Sequence, residues 1–164
     1  MKLFRQLTGA VALAGILLCY GCEDHGDGPG SVMPDRLTGP AGQSVSVSGL
    51  AKGAGVPCRA VSGDIWSFDV GFATGPLDGK YKAQLLVEID KDSEGQAAWG
   101  GNRGPYVQPS PVSAGPGAAG GTLKGRLGPP VSAKVRFAVA VRLIDTHGTV
   151  VAVSETVGNL KPVL

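Results

Sequence analysis

A chain of 164 residues can bury one hydrophobic core of its own, and a single domain is the expectation from length alone. Its 15 Lys and Arg against 13 Asp and Glu give a formal net charge of +2, and no basic run stands out, which argues against nucleic acid as a partner. Gly (27) and Pro (12) approach a quarter of the residues, yet there is no Gly-X-Y period, and long alternating segments argue against a wholly disordered chain.

The N-terminal segment reads MKLFRQLTGAVALAGILLCYGC. Lys2 and Arg5 give a positive start, Leu7–Leu18 is apolar, and small residues lead to Cys22. This is the layout of a secretory signal, with an apolar run well short of the roughly 20 residues a spanning helix needs. Gly21-Cys22 resembles the end of a bacterial lipobox, in which a small residue precedes the cysteine that is lipidated. Cys19 and Tyr20 depart from that pattern, which has Leu and then Ala or Ser at those places. The resemblance implies removal of residues 1–21 and acyl chains on Cys22. The protein would then be a membrane-anchored lipoprotein of the cell envelope, facing the periplasm, with the outer membrane favoured over the inner despite Glu23 and Asp24. Two or three acyl chains would hold it far more firmly than one, since each buried methylene contributes about 0.8 kcal/mol. Ordinary cleavage after Ala12-Leu13-Ala14 is the competing outcome and would leave the apolar GILLCY on the mature end. Without Lys2 and Arg5 the chain's 13 basic residues balance its 13 acidic ones. Loss of Cys19 and lipidation of Cys22 would leave Cys58 alone; without the lipid, a Cys22–Cys58 disulfide is the alternative.

Residues 22–42 carry Gly, Pro and Asp without apolar periodicity and predict a flexible tether, on the order of 25 Å long by random-coil scaling. From residue 43 to 164 the period is two. Val45 and Val47 alternate with serines; Trp66, Phe68, Val70 and Phe72 share one face; so do Tyr81, Ala83, Leu85, Val87 and Ile89, and the odd residues from Val131 to Leu143. These are half-buried strands with one wet face. Asp145-Thr146-His147-Gly148 predicts a hairpin turn into a last strand near 149–157. The fold expected is all-β, an antiparallel β-sandwich of about seven strands. Residues 77–87, LDGKYKAQLLV, resemble the tyrosine-corner approach of immunoglobulin-like and fibronectin type III-like sandwiches. That resemblance implies an immunoglobulin-like sandwich in which Tyr81 hydrogen-bonds upstream backbone. Residues 100–121 lack periodicity and are expected as a Gly/Pro-rich loop.

Chemistry-bearing motifs are sparse. Asp90-Lys91-Asp92-Ser93-Glu94-Gly95 opens like an EF-hand loop, but the twelfth position is Gly101 rather than a bidentate Glu, so a polar hairpin turn is preferred and no metal is expected. Gly115-x-Gly117-x-x-Gly120 lacks the strand-then-helix context of a phosphate loop. His25 falls in the tether and His147 in a turn. Cys58 has no base beside it except Arg59, so a packed, inert thiol is expected. No catalytic constellation and no cofactor site emerge, and a non-enzymatic protein is expected. Trp99, Arg103 and Tyr106 are of the types enriched at binding hot spots and form the candidate binding loop. These features point to an adaptor or assembly subunit that contacts another envelope protein, with membrane attachment through Cys22 and no nucleic acid. The alternative is a tethered carbohydrate- or small-ligand-binding module using the same aromatics. Labelled palmitate is expected to enter the wild-type protein and to be lost in Cys22→Ser; label persisting in the variant would refute the anchor.

Overall fold

In the segment Tyr81–Ile89 the period of two becomes structure: Ala83, Leu85, Val87 and Ile89 are buried in one core cluster, whereas Lys82 is exposed and Gln84 half-exposed on the opposite face. The computed structural model describes residues 33–94, 96–97, 105–117, 119–129 and 131–164. The signal segment, Cys22, Trp99 and Arg103 lie outside them. Among the described residues there is no helix, and twelve strands form two sheets.

The first sheet is built on β4 (Ile65–Thr74) and β9 (Gly120–Gly128). On the other side of β4 lie β1 (Val45–Ser48) and β3 (Arg59–Ser62), and β6 (Gln96–Ala97) closes the far side of β9. The second sheet centres on β5 (Tyr81–Ile89) and β10 (Phe137–Ile144), paired over eight residues from Phe137 opposite Ile89 to Ile144 opposite Lys82. Beyond β5 lie the short strands β7 (Tyr106–Val107) and β8 (Val112–Ala114). Beyond β10 lie β11 (Val150–Val153) and β12 (Val157–Val163), and β2 (Gly55–Pro57) pairs with β12. The β2–β12 pairing is parallel and every other pairing is antiparallel.

The sheets meet through one core, to which the first contributes Phe68, Val70, Phe72, Leu123 and Leu127 and the second Leu85, Val87, Phe137, Val139 and Leu143. At its centre the rings of Phe68 and Phe137 lie 5.1 Å apart at 54°, within the range of favourable tilted aromatic pairs. Gly125, opposite Phe68 on β9, leaves the space for that ring: a Cβ there would overlap it.

The all-β sandwich agrees with the sequence expectation, and three details differ. The strand count is twelve rather than about seven, because the short strands β2, β3, β6, β7 and β8 add to the longer ones. Residues 131–136 alternate like a strand but do not join β10. Val135 N–H instead closes a turn onto Ser132 carbonyl, and Arg136 Nη1 donates to the carbonyls of Ala133 (2.7 Å) and Val135 (2.8 Å). The stretch 100–121, expected as a loop, contains β7, β8 and the start of β9.

The expected hairpin is present: Asp145 N–H reaches Thr149 carbonyl, and Gly148 supplies the positive φ of 85°. Between β11 and β12 the ladder is bridged by a side chain. Ser154 Oγ accepts from Val141 N–H and donates to Glu155 carbonyl, both at 2.9 Å. Residues 33–42, at the C-terminal end of the expected tether, lie against the second sheet. Leu37 exchanges two backbone hydrogen bonds with Val153, and Met33 packs with Leu86, Ala138 and Ala140 on the sheet's outer face.

Gly125→Ala should therefore force the Phe68 ring out of place at a cost of about 1–3 kcal/mol. Urea unfolding is expected to show a lower midpoint with unchanged slope.

Candidate functional site

Of the three residues in the candidate binding loop, the described residues place one. Tyr106 is half-buried on β7 opposite Val87, while its neighbour Val107 is exposed opposite Leu86. Gln108 follows, 1% exposed, its backbone N–H bonded to Leu85 carbonyl. Its side-chain amide has no partner among the described residues, and sequence reasoning gave no sign of it. Three prolines, Pro105, Pro109 and Pro111, punctuate this edge of the second sheet. Proline has no N–H to offer a further strand, so the edge is guarded against strand addition.

The edge of the first sheet along β1 is of the opposite kind. Its sequence is Val-Ser-Val-Ser, with neither proline nor charge. Gly75 N–H donates to Ser44 carbonyl, and the register pairs Ser46 with Ala73 and Ser48 with Gly71. In an antiparallel ladder the bonded pairs alternate, so the N–H and C=O of Val45 and Val47 point away from β4. The outward carbonyl of Gln43, next in that series, accepts from Gly39 N–H; among the described residues no strand pairs with Val45 or Val47 on that side. These groups border a groove of about 300 Å³ lined by Arg36, Val45, Ser46, Val47, Glu155 and Val157, with the Arg36–Glu155 ion pair (2.8 Å) at its rim. The other edges are short, interrupted or bridged: β3 is bulged between Ala60 and Ser62, β6 has two residues, β2 has three ending in Pro57, and β11 is bridged at Val153 by Leu37.

Beside the start of β5 lies a polar corner. Tyr81 Oη donates to the Asp78 carboxylate, and Gln43 Nε2 reaches Tyr81 Oη at 3.2 Å and Asp78 Oδ1 at 3.3 Å. The expected tyrosine corner is corrected here: Tyr81 bonds a side chain three residues upstream rather than backbone, because the Leu77–Gly79 turn brings the carboxylate to it first. The Tyr81 hydroxyl, and after it the Gln43 amide, holds the Asp78 carboxyl below its usual range; the same bond to Asp78 pushes the Tyr81 hydroxyl up.

Next to this corner is a cleft of about 630 Å³, between the start of β5, β8 and the β10–β11 turn. Lys80, Lys82, Ser113, Ile144, Asp145 and His147 are among its lining residues. Asp145 is engaged: its Oδ1 accepts from the N–H groups of Thr149 and His147, both at 2.8 Å, and the Thr149 bond leads in holding its carboxyl below the usual range.

The motifs read as chemically inert behave as structural parts. Residues 90–94 form a turn in which Ser93 Oγ donates to the carbonyls of Asp90 and Arg136, both at 3.0 Å. Cys58 is buried, its Sγ 3.3 Å from Val56 carbonyl, and burial pushes its thiol from 9.0 to about 11.

No family model matches the chain, and no curated protein matches it in sequence. Among solved structures, the N-terminal domain of PorA is similar at a TM-score of 0.37 and 15% identity, over 73% of this chain and 96% of that one. A likeness of that degree carries no argument about function.

Because the folded state raises the Cys58 pKa, it favours the thiol. That stabilisation is whole below pH 9.0, the ordinary value, and is lost as pH rises through about 11. Unfolding midpoints of wild type are expected to fall across this window more than those of Cys58→Ala, and alkylation at pH 8 should be slow until denaturant is added.

Proposed function

We propose that the chain is a non-enzymatic lipoprotein of a bacterial cell envelope, held to the membrane through Cys22, which acts as an adaptor by accepting an extended segment of a partner protein along β1. The observation that carries this reading is the contrast between edges: β1 presents open backbone groups of Val45 and Val47 beside a groove, while the β7–β8 edge is studded with prolines. Main-chain hydrogen bonds to such an edge supply affinity, and alternate side-chain pockets supply selectivity. Val157 offers an apolar surface in the groove, and Arg36 and Glu155 a polar rim. The lipobox-like Gly21-Cys22 supports the address, and two packed, mainly antiparallel sheets support the immunoglobulin-like reading of the domain. Trp99, Arg103 and Tyr106 are proposed as a second contact, close in sequence to β7.

A photo-crosslinking residue in place of Ser46 is expected to capture one envelope protein in cells. Val47→Pro removes an outward N–H and trims a half-buried side chain packed on the core; it should reduce that capture more than tenfold in protein whose circular dichroism stays close to wild type, with a modestly lower melting point. Undiminished capture by folded Val47→Pro would overturn the edge as the contact; capture lost only in Trp99→Ala/Tyr106→Ala would move it to the loop.

A further inference from the structure

The cleft beside the β10–β11 turn is separate in its residues from the β1 groove, and its chemistry is one-sided. Lys80 and Lys82 both line it, and among the described residues neither makes an ion pair or side-chain hydrogen bond. Elsewhere among the described residues Lys124 pairs with Asp69 at 3.1 Å and Lys134 with Glu94 at 4.0 Å, while Lys52, Lys91 and Lys161, like the cleft's two lysines, make no ion pair; Lys80 and Lys82 differ in lining one cleft together. The one carboxylate among the cleft's lining residues, Asp145, is turned to the backbone N–H groups of its own hairpin. On the adjoining outer face of the second sheet, Arg142 is held by a neutral partner, Gln84 Oε1 at 2.9 Å, so no acid offsets it there. Hydroxyls of Ser113 and Thr146 and the ring of His147 add hydrogen-bonding capacity, while Ile144, Ala114 and Tyr81 add apolar surface. The cleft thus offers hydrogen-bond donors and positive charge around a small apolar floor, the arrangement that selects an acceptor-rich anion.

The walls are fixed by packing. Gly115 adopts a φ of 62°, and a Cβ there would come within 2.8 Å of Gly79 carbonyl and 2.7 Å of Leu77 Cβ, so β8 closes tightly onto the turn before β5. The Tyr81–Asp78–Gln43 bonds hold the start of β5, and the Asp145 bonds hold the opposite turn. The lysines are therefore presented from one rigid side, and the Thr146 hydroxyl and His147 ring from the other.

We propose that this cleft binds the anionic group of a small ligand, a carboxylate or a phosphate on a sugar-sized body, through Lys80, Lys82 and His147. The test is amide-resolved NMR titration of the full chain at low salt with glucuronate, glucose 6-phosphate and glucose. Glucuronate or glucose 6-phosphate should shift the amides of residues 113–115 and 145–148, and glucose should not. A response to glucuronate alone identifies the source as a carboxylate, and to glucose 6-phosphate alone as a phosphate. Lys80→Gln/Lys82→Gln should weaken binding at least tenfold with the remaining amide spectrum preserved, and 0.5 M salt should do the same to wild type, as about a 3–5 Å screening length requires. Equal shifts with glucose, no shift with either anion, or unchanged affinity in the double variant would overturn the proposal.

Discussion

The contact between Phe68 and Phe137 sets the geometry of this molecule. It joins the two central strands of opposite sheets, and it exists because β9 carries glycine where β4 carries the ring. A sandwich of this kind has no helix to cover its faces, so its stability depends on how closely two pleated surfaces interlock. The small residue at position 125 and the large one at 68 interlock in that sense. Leu85, Leu123, Leu127 and Leu143 pack in the same core and are fully buried with them.

Around that centre the chain meets a second demand, the satisfaction of backbone groups where strands stop. Ser154 carries the ladder across the break between β11 and β12 with its hydroxyl; Ser93 and Arg136 close the turns before β6 and β10. Asp145 serves the hairpin in the same way. Several polar side chains are thereby engaged by architecture, whereas Lys80 and Lys82 make no ion pair among the described residues and meet at one cleft. The edges show the same economy. Prolines occupy one margin, bulges and brevity others, Leu37 bridges β11 at Val153, and β1 is left with four residues that carry neither charge nor proline.

Much of the scaffold was legible in the sequence. The alternation in 66–72, 81–89 and 137–143 identified three of the strands that form the core, though not β9 with Leu123 and Leu127, and Asp145–Gly148 identified the hairpin, because period and turn chemistry are local properties. The failures have local causes too. Val131, Ala133 and Val135 keep the strand period, but the apolar period is equally served by a turn that tucks Val135 into the core. β7 and β8 are two and three residues long among prolines, too short to carry a period at all. Tyr81 was singled out, yet its partner was assigned to backbone; the i, i+3 spacing of Asp78 and Tyr81 was the available signal. The cleft was not legible, since Lys80, Ser113 and His147 come from three distant segments and meet only through the pairings of β5 with β8 and β10. Nor was the open edge, because Val-Ser-Val-Ser states that a strand exists without stating what flanks it.

The parallel pairing of β2 with β12 has a mechanical consequence. Strand β2 enters at Gly55, and β12 leaves at Val163, pointing the same way, with Lys161 N–H bonded to Ala54 carbonyl and Cys58 N–H to Val163 carbonyl. Tension applied between the chain before β2 and the chain after β12 pulls these neighbours past one another along their length. The hydrogen bonds are then loaded together, in shear, instead of opening one by one as in a zipper. A domain stretched between two attachment points in this way resists through β2 and β12 acting as a single clasp, and the core behind them stays closed until that clasp gives.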